Sequence, residues 1–132
     1  MYGTASVKSA SFRDLEIFVL ARDLAVKIHN VTLQELPKFE MYEEGSQIRR
    51  SSKSIASNIV EGFGRRRYKN EFVQFLTYSI ASCDETKVHL EFLRETGSLK
   101  DDIAADLHNA YEILGAKLYN FRQAVLKGHR TS

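Results

Sequence analysis

The sequence predicts an all-α protein, an antiparallel up-and-down bundle of four helices. Three observations carry this. Chain breakers are scarce, with one proline and seven glycines in 132 residues, which favours long helices over many short strands. Apolar residues recur at three- and four-residue steps over stretches of roughly 20 residues or more. The connections between those stretches are short, and short connections set consecutive helices side by side in opposite directions. The length fits one domain, residues 1–132. A domain of this size buries roughly two-thirds of its unfolded surface, enough for a core without metal or disulfide.

The first helix is expected to begin after Ser11, a favourable cap, with Asp14 in its first turn. Ile17, Leu20, Ala21, Leu24, Ile28 and Val31 make one apolar stripe, and Phe12, Leu15, Val19 and Val26 a second. A helix apolar over so much of its girth touches more than one neighbour. Pro37 disfavours helix at Leu36 and ends it. The second helix is expected from about Met41 to Glu61, with Ile48, Ile55, Ile59 and Phe63 on one side. Gly62 suits the left-handed position that closes helices. In the third, from about Lys69 to Thr96, Phe72, Leu76, Ser79, Cys83, Thr86, Leu90 and Leu93 form a coiled-coil-like seam. Gly97 closes it. The fourth carries Ile103, Leu107, Ala110, Leu114, Leu118, Phe121 and Val125 to about Lys127, and a frayed tail follows.

Composition narrows the function classes. Cys83 is the only cysteine, so no intramolecular disulfide can form and a reducing, cytoplasmic setting is expected. The opening "MYGTASVKSA" lacks the apolar core of a signal peptide, and no run is long enough to cross a bilayer. His29, His89, His108 and His129 show no zinc spacing, and no Glu-x-x-His occurs. No metal, cofactor or catalytic residue is expected. "GFGRR" lacks the third glycine of a dinucleotide-binding loop and follows a helix. An arginine seven residues before a histidine occurs twice, at Arg22…His29 and Arg122…His129. This resembles the motif of HEPN-type ribonucleases, and RNA cleavage is carried as a third, weaker reading.

Charge is segregated. Between Arg49 and Lys69 lie Arg49, Arg50, Lys53, Arg65, Arg66, Arg67 and Lys69 against one acid, Glu61, a net +6. The remaining 12 basic and 16 acidic residues give −4. Such segregation produces a local field, and these seven cations are the candidate nucleic-acid-binding residues. On another side of the second helix, Gln47, Ser54, Asn58 and Glu61 align with Ser51 in a narrow polar stripe. Serines are poor choices for an exposed helix interior. Gln47, Ser54, Asn58 and Glu61 are therefore expected to form a structural polar network, within the bundle or between subunits. Glu61 and Asn58 would hold the helix corner by accepting bonds from Arg50 or Arg65, leaving the other arginines as an outward basic rim.

The stretch Gly45–Leu76, "GSQIRRSSKSIASNIVEGFGRRRYKNEFVQFL", resembles a family of bacterial four-helix-bundle proteins. These are named for genes found inside intervening sequences of 23S ribosomal RNA. "FRDLEIFVLARDLA" is similar to the family's opening. One departure is Ala81-Ser82 ahead of Glu85, where the family often has Gly-Ser. The resemblance implies a homopentamer with no known catalytic activity. It also implies similarity to pentameric accessory proteins of diversity-generating retroelements, which bind nucleic acid and a reverse transcriptase. The expected partners are thus further copies of the chain and nucleic acid, RNA ahead of DNA. The alternative is a structural or adaptor oligomer that binds protein alone.

Overall fold

The computed structural model describes residues 11–128. Among them are four long helices and no strand: α1 (Glu16–Glu35), α2 (Glu44–Gly64), α3 (Lys69–Glu95) and α4 (Asp101–Leu126). Each helix packs on the next and α1 also meets α4, so the four surround one core. Ile17, Ala21 and Ile28 of α1, Ile48, Ile55 and Ile59 of α2, and Leu107, Leu114 and Leu118 of α4 lie in that core. All seven seam residues of α3 are buried. In α4 the buried line includes Ala104 and Tyr111, one position beyond the expected Ile103 and Ala110. None of the described helices is long and apolar enough to cross a membrane.

The helix ends follow local chemistry. Ser11 does act as a cap, its hydroxyl accepting the Arg13 N–H at 3.1 Å, but of a 3-10 turn over Phe12–Asp14. The α-helix proper begins at Glu16. Leu36, ahead of Pro37, is extended at φ −87° and ψ 148°, and ends α1. A second 3-10 turn, Lys38–Glu40, occupies the connection, so α2 begins at Glu44 rather than Met41. Glu40 is buried there. Its carboxylate accepts the Ser98 hydroxyl at 2.7 Å and the Glu44 N–H at 3.4 Å, tying this connection to the α3–α4 loop. Gly97, at φ +76°, closes α3.

Gly62 does not end α2, contrary to the sequence expectation. It is buried inside the helix, which continues to Gly64. A Cβ at Gly62 would lie 3.0 Å from Phe75 Cβ and 3.2 Å from Phe72 Cδ1. The glycine is therefore a point of close approach between α2 and α3.

Candidate nucleic-acid interface

The α2–α3 contact is lined by small hydroxyl-bearing residues, and the pairs run in a regular order. Ser51 Oγ meets Thr86 Oγ1 at 2.8 Å, Ser54 Oγ meets Ser82 Oγ at 2.9 Å, and the Ser79 hydroxyl donates to the Ile55 carbonyl at 2.9 Å. Gly62 then rests on Phe72 and Phe75. The Asn58 amide donates back along its own helix to the Ser54 carbonyl at 2.9 Å and to Ser54 Oγ at 3.1 Å. The structure thus brings Ser54 and Asn58 into one half-buried cluster with Ser82. Gln47 and Glu61 are exposed and lie outside it.

The corner after α2 sets three consecutive arginines to different tasks. Arg65 is braced: it pairs with Glu61 at 2.6 Å and with Glu71, on α3, at 3.2 Å. Its guanidinium also lies over the Phe75 ring, 4.8 Å from the centroid. Arg66 folds back, donating to the Phe63 carbonyl at 3.0 Å and covering the Phe63 ring at 4.0 Å. Arg67 is exposed and has no ion-pair partner among the described residues. Tyr68 and half-buried Lys69 follow it into α3.

The other cations lie elsewhere. Arg49 is not an outward cation: it donates to Thr32 Oγ1 at 3.0 Å and to the Met41 carbonyl at 2.7 Å, clamping α1 and the α1–α2 connection to α2. Arg50 and Lys53 are exposed on α2. At 1.5 Å per residue, Arg50 stands about 22 Å along the axis from Arg65. The seven cations therefore do not make one continuous patch. Asn58 takes no bond from either Arg50 or Arg65, whereas Glu61 does bind Arg65.

Arg22, His29 and Lys53 surround a groove of about 340 Å³ between α1 and α2, floored by Ala25, Val26 and Ala56. Arg22 is paired there with its neighbour Asp23 at 2.9 Å. In the second arginine–histidine pair, Arg122 donates to Thr77 Oγ1 at 3.0 Å, and His129 lies outside the described residues. His89 bridges Glu44 at 2.6 Å and Glu85 at 3.2 Å. His108 meets Glu91 at 2.8 Å. No cluster of metal-ligating side chains occurs among the described residues. Burial pushes the Cys83 thiol up to about 11, and its Sγ–H points to the Tyr111 carbonyl at 3.4 Å. A thiol so placed stays protonated and is a poor nucleophile. Burial likewise raises the Tyr111 phenol.

Sequence reasoning did not find Ser82, Glu71 or Phe75 as partners, since each lies across an interhelical contact that periodicity does not report. Tyr68 had a readable signal: an aromatic residue between two cations at a helix corner.

Four packed helices with a braced basic corner define a small all-α protein. The model of the 23S rRNA-intervening sequence proteins matches residues 13–120, and the chain belongs to that family. It is similar in structure to a protein of unknown function from the S23 ribosomal protein family of Bacteroides thetaiotaomicron. The TM-score is 0.70 and the identity 23%, over 81% of this chain and 95% of that one. At that identity the likeness is one of fold. No match is found among curated proteins.

Proposed function

We propose that the chain is a non-enzymatic subunit of an oligomer, an antiparallel up-and-down bundle assembled as a homopentamer, which binds nucleic acid, RNA ahead of DNA. The observation that carries the binding reading is the division of labour at the corner. Arg65 is neutralised by Glu61 and Glu71, and in being so it fixes the turn from which unpaired Arg67 projects. Lys69 adds a second cation two residues on. Repeated around a ring, a modest charge per subunit becomes a multivalent surface, and binding strengthens through effective concentration. Phosphate backbone is the natural ligand for such cations, because displacing its condensed counterions releases free energy.

Purified protein freed of nucleic acid is the material for the test. Its mass by light scattering and its RNA affinity across a salt series are the two measurements. A pentamer whose affinity falls linearly with salt on logarithmic axes is the expected result. A monomer at micromolar concentration would remove the ring, and absence of salt-dependent binding would remove the nucleic-acid reading.

The groove between α1 and α2 favours a second reading. Its floor of Ala25, Val26 and Ala56 suits contact with another polypeptide. In that case the chain is a structural or adaptor oligomer that binds protein and no nucleic acid.

A further inference from the structure

We propose that the corner recognises single-stranded in preference to duplex nucleic acid, with the Tyr68 ring as a platform for one base and Arg67 and Lys69 as flanking phosphate contacts. This rests on the nucleic-acid reading above. Tyr68 is 64% exposed, yet its backbone is fixed on both sides. Its N–H donates to the Arg65 carbonyl at 2.8 Å, and its carbonyl accepts the Phe72 N–H at 3.0 Å. The other rings of the corner are already occupied. Phe63 carries the Arg66 guanidinium, and Phe75 carries Arg65 and meets Tyr78 edge-on at 5.5 Å. Tyr68 has no ring or cation partner of this kind among the described residues. Its face is held out to solvent by a turn that Arg65 braces at Glu61 and Glu71.

The chemistry of that arrangement separates the two forms of nucleic acid. In a duplex each base face is covered by its neighbours, so an exposed ring finds nothing to stack on and only the cations engage. In a single strand the bases can be splayed, and every base offers a π-face to an aromatic side chain. Cation, ring and cation in succession match a strand whose phosphates alternate with such bases. The ring therefore adds affinity for the single strand alone, and without sequence preference, whereas the cations serve both forms.

The test is fluorescence anisotropy of the full chain with a short fluorescein-labelled RNA of mixed sequence, single-stranded or annealed to its complement. The parent should bind the single strand more tightly. Tyr68→Ala should lose about 5- to 150-fold on the single strand, with its salt slope and its duplex affinity kept. Tyr68→Phe should bind as the parent does, and Tyr68→Leu, which keeps an apolar side chain without a π-face, should behave like the alanine variant. Arg67→Ala/Lys69→Ala should instead make the salt slope on the single strand shallower, by about 0.7 per lost phosphate contact. If the parent binds single strand and duplex alike, or the alanine and leucine variants match it, stacking is overturned while nucleic-acid binding stands. If the parent binds neither form, both fall together.

Discussion

Gly62→Ala is the sharpest probe of how the corner is built, because helix propensity and packing give it opposite signs. In a helix interior, alanine is favoured over glycine by about 1 kcal/mol, so propensity alone makes the variant more stable. The new methyl would meet Phe75 Cβ at 3.0 Å, Phe72 Cδ1 at 3.2 Å and the Phe72 carbonyl oxygen at 3.4 Å. Two of these three atoms are fixed by the α3 backbone and cannot move aside by a rotamer change. Relief requires α2 and α3 to separate locally, and overpacking of that kind costs about 1–3 kcal/mol. The net is a loss of about 0–2 kcal/mol. Gly64→Ala supplies the control, since no neighbouring atom lies within 4 Å of its Cβ position and its φ is not positive. It should gain up to about 1 kcal/mol. Thermal unfolding followed by circular dichroism reads both, at one protein concentration, because the proposed assembly would make the midpoint concentration-dependent. A chain of this size shifts by about 4 °C per kcal/mol. A Gly62→Ala protein stabilised as much as Gly64→Ala would refute close approach at Gly62.

Other outcomes follow from the same structure. Ser51→Ala and Thr86→Val should each cost about 0.5–1.5 kcal/mol, and the double variant less than their sum, because one bond joins them at 2.8 Å. Denaturant titration of the four-member cycle checks this, and strict additivity would count against the bond. Glu61→Ala should cost no more than about 1 kcal/mol despite its place in the polar stripe, since its bridge to Arg65 is solvent-exposed. A melting loss several times larger would show a buried role. Cys83 should resist thiol reagents in the folded protein at neutral pH and react only as the protein opens. Its raised folded pKa also means that the unfolded chain loses the proton first, from about pH 9. Stability should therefore fall between about pH 9 and pH 11, and a Cys83→Ala variant should lose that part of the alkaline decline, read from denaturant midpoints.

How much was legible depended on whether partners lay on the same helix. The α3 seam from Phe72 to Leu93 was readable because a long helix flanked by α2 and α4 repeats its buried positions at fixed steps. In α4 the expected Leu107, Leu114, Leu118, Phe121 and Val125 are buried, and only Ile103 and Ala110 were placed one residue off, because they sit beside Ala104 and Tyr111 on a broad apolar surface and periodicity cannot choose its centre. Gly62 was misread for a different reason. Glycine serves both a left-handed ending and a close approach, and only the position of Phe72 and Phe75 on the facing helix decides between them. Arg49 counted as a surface cation, yet its partners Thr32 and Met41 belong to earlier elements and no local pattern announces them.

The corner itself shows why a run of charge in a sequence overstates a charged surface. Arg65, Arg66 and Arg67 are equivalent as letters, and the fold separates them by what each can reach. Arg65 has Glu61 one helical turn behind it and Glu71 in the first turn of the next helix, so its charge is spent inside the corner. Arg66 can reach the Phe63 carbonyl and ring, so it caps the end of α2. Arg67 pairs with neither acid, and it remains exposed and available to a ligand. The first two arginines hold the third, and so their loss and its loss should be told apart by what changes. Arg65→Ala should lower the melting temperature and loosen the corner, while leaving the salt slope of RNA binding close to the parent's. Arg67→Ala should leave melting unchanged and make that slope shallower by about 0.7. Equal effects of the two substitutions on the slope would mean that Arg65 exchanges its carboxylates for phosphate when nucleic acid arrives, and the brace would then be part of the binding surface.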